Sequence, residues 1–279
     1  MNERAAAAAF IGTLQAGYTD FHYLRDVWQE TTEKDALIGV GMTGIASGAV
    51  LDLDLEQATK AVLEENERVA KKLGINKAAR TTTIKPSGTS SLVLGTSSGI
   101  HAWHNDFYIR RMRVGKDEAI YTYLQENHPE LVEDEYFRPN DQAVIEIPQK
   151  APEGAILRHE SPMELLKRVS RFNEEWVRAG HRDGQNSHNV SVTVSVKDDQ
   201  WQQVGDWMWK NRNHFNGISV LPYMGGTYKQ APFEDITQEQ YEIMESALTS
   251  IDLTQVKEEE DNTDLTGEIA CGADGCIVT

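Results

Sequence analysis

The chain has 279 residues, of which 39% are hydrophobic and 25% are charged, a balance typical of a soluble globular protein with one large domain or two small ones. Its formal net charge of −17 argues against a nucleic-acid partner, because a phosphate backbone requires a basic surface. No apolar run approaches the roughly 18 residues of a membrane-spanning helix, and the N-terminus lacks the pattern of a secretory signal. We therefore expect a cytoplasmic protein with no membrane or nucleic-acid partner.

Three helices are expected in the first part of the chain. Residues 4–16 combine an alanine run with other strong helix formers. A second helical stretch is expected over residues 33–46, although the three glycines between 39 and 44 lower helix propensity and favour close backbone approach to another element. Residues 55–73 show the clearest amphipathic pattern, and Gly74 supplies the stop signal for that helix.

A strand and a hydroxyl-rich loop are expected within TTTIKPSGTSSLVLGTSSGIH, which ends at His101. The β-branched residues 81–84 favour a strand, and Pro86 ends it because proline cannot donate to a sheet ladder. The loop can present hydroxyl and backbone N–H groups to an anion, aided by a helix N-terminus if a helix follows. Its candidate binding residues are Ser87, Gly88, Thr89, Ser90 and Ser91. On composition alone, an ordinary Ser/Gly turn with helix N-caps explains the same residues.

The middle of the chain is expected to contain strands and a short helix. Residues 106–114 favour a strand or an irregular segment, and its three arginines either pair with the chain's many carboxylates or face an anionic ligand. A short helix is expected over residues 118–125. Residues 143–147 alternate as a strand, which we expect Pro148 to end.

A strand–helix–strand unit is expected in the last third of the chain. Residues 190–196 alternate valine with serine or threonine, which indicates a strand with one apolar face and one hydroxyl face. A helix is expected over residues 198–211 and a second strand over residues 217–223. This order argues for a βαβ unit and an α/β fold.

Two capping boxes mark helix starts near this unit, and an acidic segment follows. Ser161 precedes Glu164 by three residues, and Thr237 precedes Gln240 in the same way. From about residue 252 the chain is acidic and poor in large apolar residues, as in a disordered tail. We therefore divide the chain into a folded domain, residues 1–251, and a flexible tail, residues 252–279.

The two cysteines of the chain, Cys271 and Cys276, both lie in that tail, within CGADGC. So few cysteines exclude a disulfide scaffold and a Cys-only zinc site. The glycines between them allow the chain to turn back, and a dithiol on a tether suits thiol–disulfide exchange. Two incidental surface thiols, or two ligands of an intermolecular metal site, remain alternatives.

The histidine spacings give little support for a metal site. His101 and His104 form an HxxH pair, and His181 and His188 flank a polar loop, but no third ligand accompanies either pair in the sequence. We interpret these histidines as structural and expect no metal. HExxH, GxSxG, Walker A and dinucleotide-binding motifs do not occur in the sequence.

Several motifs together resemble the large subunit of ribonucleotide reductase, especially its adenosylcobalamin-dependent (class II) branch. PSGTSSLVLGTSSGIH and the downstream FYIRRMRV are similar to the family's substrate-phosphate region. NVSVTVSVKDDQW, GISVLPYMGGTYKQAPFEDIT and a C-terminal Cys-x-x-x-x-Cys follow in the family's order. The resemblance implies that residues 1–251 are the C-terminal half of a ten-stranded α/β barrel and that residues 252–279 are a flexible redox tail.

The resemblance also implies roles for individual residues. Ser87, Gly88, Thr89, Ser90 and Ser91 match the loop that holds the substrate's phosphates, and Cys271 and Cys276 match the pair that re-reduces the active-site disulfide. The implied activity is reduction of ribonucleoside di- or triphosphates to 2′-deoxyribonucleotides, with adenosylcobalamin as cofactor and a thioredoxin- or glutaredoxin-like protein as reductant. Diiron-dependent members resemble one another in a tyrosine pair at the position of Tyr223, and the single tyrosine here favours the cobalamin branch.

The chain departs from the family pattern in one respect that bears on activity. The family's radical cysteine lies in an Asn-x-Cys-x-Glu motif, and this sequence has no cysteine before Cys271. We therefore expect the chain to be inactive alone and to require a complementary N-terminal half as partner. The alternative is a non-catalytic remnant or interaction module that retains part of the reductase fold.

Overall fold

The computed structural model describes residues 1–223 and 228–258, which form an α/β fold. The described helices are α1 (Asn2–Gln15), α2 (Asp26–Asp35), α3 (Leu55–Leu73), α4 (Gly88–Val93), α5 (Ala119–Asn127), α6 (Pro162–Phe172), α7 (Trp201–Lys210) and α8 (Gln238–Ala247). The described strands are β1 (Phe107–Gly115), β2 (Val132–Asp134), β3 (Gln142–Lys150), β4 (Val192–Val196), β5 (Ile218–Pro222) and β6 (Phe233–Asp235). None of the described helices has the length and apolar character needed to cross a bilayer.

Four extended segments lie side by side and run parallel. β4 pairs with β5 in parallel, and helix α7 connects them, which confirms the predicted βαβ unit. Parallel bridges join Ile84 to Val190, just before β4, and Thr82 to Val40. The order across the array is therefore residues 38–41, residues 81–84, residues 190–196 and β5.

The array has one apolar face, which packs against helices. Because side chains alternate between the two faces of a strand, the four valines of residues 190–196 point to the same side, and all are buried. Helices α1, α3 and α6 contribute to the same core, with Phe172 and Trp176 among its largest fully buried side chains. The Trp176 indole N–H lies 3.3 Å from the Val40 carbonyl oxygen and 3.2 Å from that of Thr83, so it ties the helical layer to two neighbouring segments of the array.

Local signals determine where the core helices begin and end. The Asp54 side chain accepts a hydrogen bond from the Gln57 N–H at 2.9 Å at the start of α3. Gly74 ends that helix in the left-handed conformation. Ser161 and Glu164 form the predicted capping box at the start of α6. The bounds of α3 thus match the sequence prediction.

A second, antiparallel sheet has the order β2-β3-β1-β6. Its strands β1 to β3 lie between residues 81–84 and 190–196 along the chain, and β6 comes after both. Arginines on its strand β1 form ion pairs, one of the two uses that the sequence allowed. Arg111 pairs with Glu146 at 2.5 Å and with Glu234 at 2.6 Å. Arg113 lies 3.5 Å from Glu135.

Two predicted elements differ in the structure. Residues 33–46 do not form a helix: α2 ends at Asp35, and the glycine-containing stretch is extended beside residues 81–84. This stretch gains hydrogen bonds there, for example from the Val40 N–H to the Thr81 carbonyl at 2.8 Å. Pro148 does not end its strand, because β3 continues to Lys150. On the edge of β3 that faces β2, pairing reaches only as far as Ile145. No described strand on that edge therefore needs a backbone N–H at position 148, which proline lacks.

The predicted tail begins with a short turn. Residues Leu253–Gln255 form a 3₁₀ turn, and Val256 packs against the core of the antiparallel sheet. The Asp252 N–H donates to the Tyr123 hydroxyl at 3.1 Å. Cys271 and Cys276 lie outside the described residues.

Candidate functional site

The candidate site is built from two loops that follow neighbouring parallel segments. Residues 38–41 lead into a loop containing Thr43, and residues 81–84 lead into the loop that begins at Lys85. Because the carboxyl ends of parallel segments meet at one edge of a sheet, the two loops come together there. The Thr43 and Ser87 hydroxyl oxygens lie 2.5 Å apart.

Thr43 is the centre of a hydrogen-bond network between these loops. Its hydroxyl donates to the Ser97 carbonyl oxygen at 2.9 Å, since a carbonyl can only accept. A threonine hydroxyl has one proton, so Thr43 accepts its other two bonds. These come from the Gly99 N–H at 2.9 Å and from the Ser87 hydroxyl. The proton of Ser87 therefore points into the protein.

Ser91 also uses its hydroxyl within the loop. It is 4% exposed, and its hydroxyl donates to the Ser87 carbonyl oxygen. The Ser87 N–H donates to the Ser98 hydroxyl at 2.9 Å. These bonds hold the start of the loop in a fixed conformation and leave neither hydroxyl proton directed at solvent.

The remaining predicted residues face outward. α4 begins at Gly88, and Ser87, at its N-cap position, makes no side-chain cap bond. The first N–H groups of a helix lack partners within it. Thr89 and Ser90 lie in this first turn and are exposed. Of the five predicted residues, Gly88, Thr89 and Ser90 thus offer backbone N–H groups, and Thr89 and Ser90 also offer hydroxyls.

Two glycines allow the loops to approach this closely. Gly44 adopts a φ of +74°, and a Cβ atom there would lie 2.3 Å from the Thr96 hydroxyl oxygen. Gly99 adopts a φ of +56°, and a Cβ atom there would lie 2.6 Å from the Lys85 carbonyl oxygen. A side chain at Gly99 would push against the Lys85 backbone, and one at Gly44 would displace the Thr96 side chain.

His101 attaches the loop to the central strand. Its Nδ1 lies 3.2 Å from the Ser98 carbonyl oxygen and its Nε2 lies 3.2 Å from the Thr193 N–H. The proton therefore sits on Nδ1, and Nε2 accepts. Burial lowers the pKa of His101, which keeps the ring neutral.

The other predicted histidines also make local contacts. His104 lies 3.0 Å from the Asp235 carboxylate, and burial with the nearby Arg158 guanidinium lowers its pKa to about 4. His181 contacts the Gly184 carbonyl oxygen and His188 that of Thr82. Within residues 1–223 and 228–258, no three side chains of the metal-binding types cluster together.

The hydroxyl face of the parallel array lies on the side opposite the apolar core. Ser191, Thr193 and Ser195 alternate with the buried valines and are half-buried. In the neighbouring segments, a Cβ atom on Gly39 would lie 3.4 Å from the Thr83 methyl group. Small polar residues therefore line this face beside the two loops.

Sequence reasoning missed Thr43. The available signal was a threonine inside the glycine-rich stretch of residues 39–44, which the sequence assigned to a helix. Its partner Ser87 is 44 residues away in the chain, so no local pattern links them.

No family model matches the chain. Among curated proteins, the adenosylcobalamin-dependent ribonucleoside-triphosphate reductase of Lactobacillus acidophilus is 24% identical over 292 residues, which cover 92% of this chain and 38% of the relative. The corresponding reductase of Euglena gracilis is 26% identical and covers 90% of this chain and 35% of the relative. A probable reductase of this kind from Dictyostelium discoideum is 29% identical, with 82% and 31% covered.

A solved structure agrees in fold. The crystal structure of a B12-dependent (class II) ribonucleotide reductase superposes with a TM-score of 0.76 and 23% identity, covering 91% of this chain and 38% of that protein. The chain is thus similar in sequence and in fold to class II ribonucleotide reductases. The resemblance inferred from the motifs is thus confirmed. The chain spans less than two-fifths of the length of these class II relatives.

Proposed function

We propose that this chain provides part of an adenosylcobalamin-dependent ribonucleoside-triphosphate reductase. It corresponds to the C-terminal half of the reductase barrel, and its tail bears the dithiol. Acting with a complementary N-terminal half, the assembled enzyme reduces ribonucleotides to 2′-deoxyribonucleotides. The observation that carries the proposal is the loop at Ser87–Ser91, whose outward donors stand at the carboxyl ends of two parallel segments, in a chain related to such reductases.

The loop's part in the reaction is to hold the substrate's phosphates. Backbone N–H groups of Gly88, Thr89 and Ser90, with the hydroxyls of Thr89 and Ser90, form a donor set that suits phosphate oxygens. Because these donors are neutral and local, they can bind an anion on a chain whose net charge is −17. Ser87 and Ser91 hold the loop in shape. The hydroxyl face around Thr193 then adjoins the bound nucleotide.

The reaction is a two-electron reduction. The 2′-hydroxyl of the substrate leaves as water, a hydrogen takes its place on the carbon, and a dithiol is oxidised to a disulfide. Adenosylcobalamin, when bound to the assembled enzyme, supplies the radical that starts this chemistry.

We further propose that Cys271 and Cys276 re-reduce the active-site disulfide by thiol–disulfide exchange and are themselves re-reduced by a thioredoxin- or glutaredoxin-like protein. Cys271 is 13 residues beyond Glu258, so a fully extended chain would place Cys271 at most about 45 Å from Glu258. A dithiol that must stay reducible also suits a cytoplasmic location, because the cytosol keeps thiols reduced.

The test is reconstitution. This chain is co-expressed with an N-terminal reductase half that carries the Asn-x-Cys-x-Glu motif, and formation of deoxynucleotides is measured with adenosylcobalamin and a thioredoxin system. We expect turnover from the pair and none from either half. A soluble, associated pair that forms no deoxynucleotide would contradict the proposal.

A non-catalytic interaction module is the second candidate function. The observation that favours it is the absence of any cysteine before Cys271 in the sequence. This candidate predicts a stable, monomeric chain that unfolds cooperatively and forms an inactive complex with its partner. Size-exclusion chromatography and denaturant unfolding, together with the reconstitution assay, separate the two candidates.

A further inference from the structure

A lysine side chain lies on the hydroxyl face of the parallel array. The four extended segments of the array contain no charged residue. Lys85 comes directly after Ile84, whose side chain points into the apolar core, so the alternation of side chains directs Lys85 to the opposite, hydroxyl face. Pro86 favours the extended conformation at Lys85 that continues this alternation. Lys85 thus brings a positive charge to an otherwise neutral face.

The Lys85 ammonium group has N–H groups available for a ligand. Its Nζ donates to the Asn189 side-chain oxygen at 3.4 Å, which uses one of its three N–H groups. In the part of the chain that the structure describes, Lys85 makes no other side-chain hydrogen bond and no ion pair, although the chain has 44 acidic residues. Lys197, which follows β4, instead lies over the Tyr223 ring, 5.2 Å from its centre.

The charges around Lys85 are positive. Burial lowers the pKa of His188, which is next to Asn189 in the chain, and the charges of Arg80, His181 and Lys85 lower it further. No carboxylate of the described residues counters them at His188. A positive region on a chain with a net charge of −17 favours an anionic ligand.

The position of Lys85 indicates which anion it meets. Lys85 precedes Ser87 by two residues, so their Cα atoms lie at most about 7.6 Å apart. The flexible four-carbon stem of a lysine allows its ammonium group to reach a ligand held by the following loop. The donors of that loop, on Gly88, Thr89 and Ser90, are neutral. Lys85 is therefore placed to supply the charge that these donors lack.

We propose that Lys85 binds a phosphate group of the nucleotide and makes the affinity of the site increase with the number of phosphates. The attraction between an ammonium group and an anion grows with the charge of the anion, and a triphosphate carries more charge than a monophosphate. This inference rests on the proposed function. It adds the residue that favours triphosphates over shorter phosphates.

Substitutions at Lys85 and Asn189 test this role. Lys85→Met removes the charge and keeps a long side chain, whereas Lys85→Arg keeps the charge. Asn189→Asp places a carboxylate beside the ammonium group, where it would pair with Lys85 and repel an anion. Lys71→Met is the matched control, because Lys71 is exposed in the last turn of α3 and its loss changes the net charge by the same amount.

The probes are inorganic tripolyphosphate, pyrophosphate and orthophosphate, each titrated into the full chain by isothermal titration calorimetry. Circular dichroism checks the fold of each variant. We expect Lys85→Met and Asn189→Asp to bind tripolyphosphate at least about tenfold more weakly than the wild type, and orthophosphate less than about threefold more weakly. Lys85→Arg and Lys71→Met should stay within about twofold of the wild type. The effect of Lys85→Met should shrink when the salt concentration rises, because salt screens the charge.

Three results would overturn the role of Lys85. One is undiminished tripolyphosphate binding by folded Lys85→Met and Asn189→Asp, and another is absence of tripolyphosphate binding by the wild type. The third is an equal loss of affinity for tripolyphosphate and orthophosphate in Lys85→Met. Binding that depends on Lys85, in a chain whose reconstituted pair forms no deoxynucleotide, would support this inference and contradict the proposed function instead.

Discussion

The Thr43 hydroxyl lies 2.5 Å from the Ser87 hydroxyl and accepts a hydrogen bond from it. Replacing Thr43 by valine keeps the shape of the side chain but removes the acceptor for Ser87 and for the Gly99 N–H. We expect Thr43→Val to lose about 1–3 kcal/mol of stability through unpaired polar groups. We also expect roughly tenfold weaker phosphate binding, measured by titrating the chain with tripolyphosphate.

Thr43→Ser is the control, because it restores the hydroxyl and should recover both properties. In the reconstituted enzyme, the loss should appear in KM for the nucleotide more than in kcat. Unchanged tripolyphosphate affinity in Thr43→Val, with tight binding by the wild type, would show that Thr43 does not position the loop.

Thr89 and Ser90 are expected to bind phosphate through their outward hydroxyls. Both are exposed, so the Thr89→Val/Ser90→Ala double variant should unfold within about 0.5 kcal/mol of the wild type. Hydrogen bonds to charged groups are worth about 1.5–3 kcal/mol each, so anion affinity should fall at least tenfold. Ser87→Ala should weaken binding less, since its proton already points to Thr43. An equal loss in both variants would contradict this division of roles.

Trp176 is expected to stabilise the parallel array through its indole N–H. Trp176→Phe leaves the Val40 and Thr83 carbonyl oxygens without this donor inside the core. We expect a loss of about 1–3 kcal/mol in urea unfolding. Trp209→Phe, at a side chain that is 74% exposed, should change stability by less than about 0.5 kcal/mol. Equal losses of stability in Trp176→Phe and Trp209→Phe would show that the indole hydrogen bonds of Trp176 do not cause the loss.

His104 should make stability fall on mild acidification. Its pKa is lowered to about 4 from the ordinary 6.5, by burial first and then by Arg158 and His159, while Asp235 acts in the opposite direction. Between these values the unfolded chain takes up a proton that the folded chain does not. The free energy of unfolding therefore decreases from pH 6.5 to 4, by at most about 3 kcal/mol, and levels off below.

Urea unfolding at pH 7.5, 6 and 5 measures this effect. The pKa values of His101 and His188 are also lowered by burial, so they contribute in the same direction. His104→Gln should reduce the pH dependence without abolishing it. If the free energy of unfolding of His104→Gln changes with pH as steeply as that of the wild type, the pH dependence comes from the other histidines.

Cys271 and Cys276 are expected to be needed for repeated turnover. In the reconstituted enzyme, replacement of either by serine should abolish multiple turnover with a thioredoxin system. About one turnover should remain from pre-reduced enzyme, because exchange requires both thiols. Full multiple turnover in either variant would exclude the shuttle role.

The sequence predicted those elements whose signals are local. α3 was recognised because its apolar stripe and Gly74 lie within one window, and α6 because Ser161 and Glu164 are three residues apart. The helix predicted over residues 33–46 was wrong beyond the end of α2, because the conformation there depends on the distant residues 81–84. The hydroxyl-rich stretch at Ser87–Ser91 was likewise visible locally, although helix α4 already begins at Gly88. Which of its hydroxyls face outward depends on Thr43 and Ser98, which only the folded chain brings near.

The position of the antiparallel sheet within the chain has a consequence for folding kinetics. Its strands β1 to β3 lie between two neighbours of the parallel array, so that the bond between Thr83 and Asn189 spans 106 residues. Contacts within β1–β3 are much closer in sequence and close smaller loops. Strands β1 to β3 should therefore gain protection from amide exchange first, and residues 81–84 should join residues 190–196 in a later, slower step.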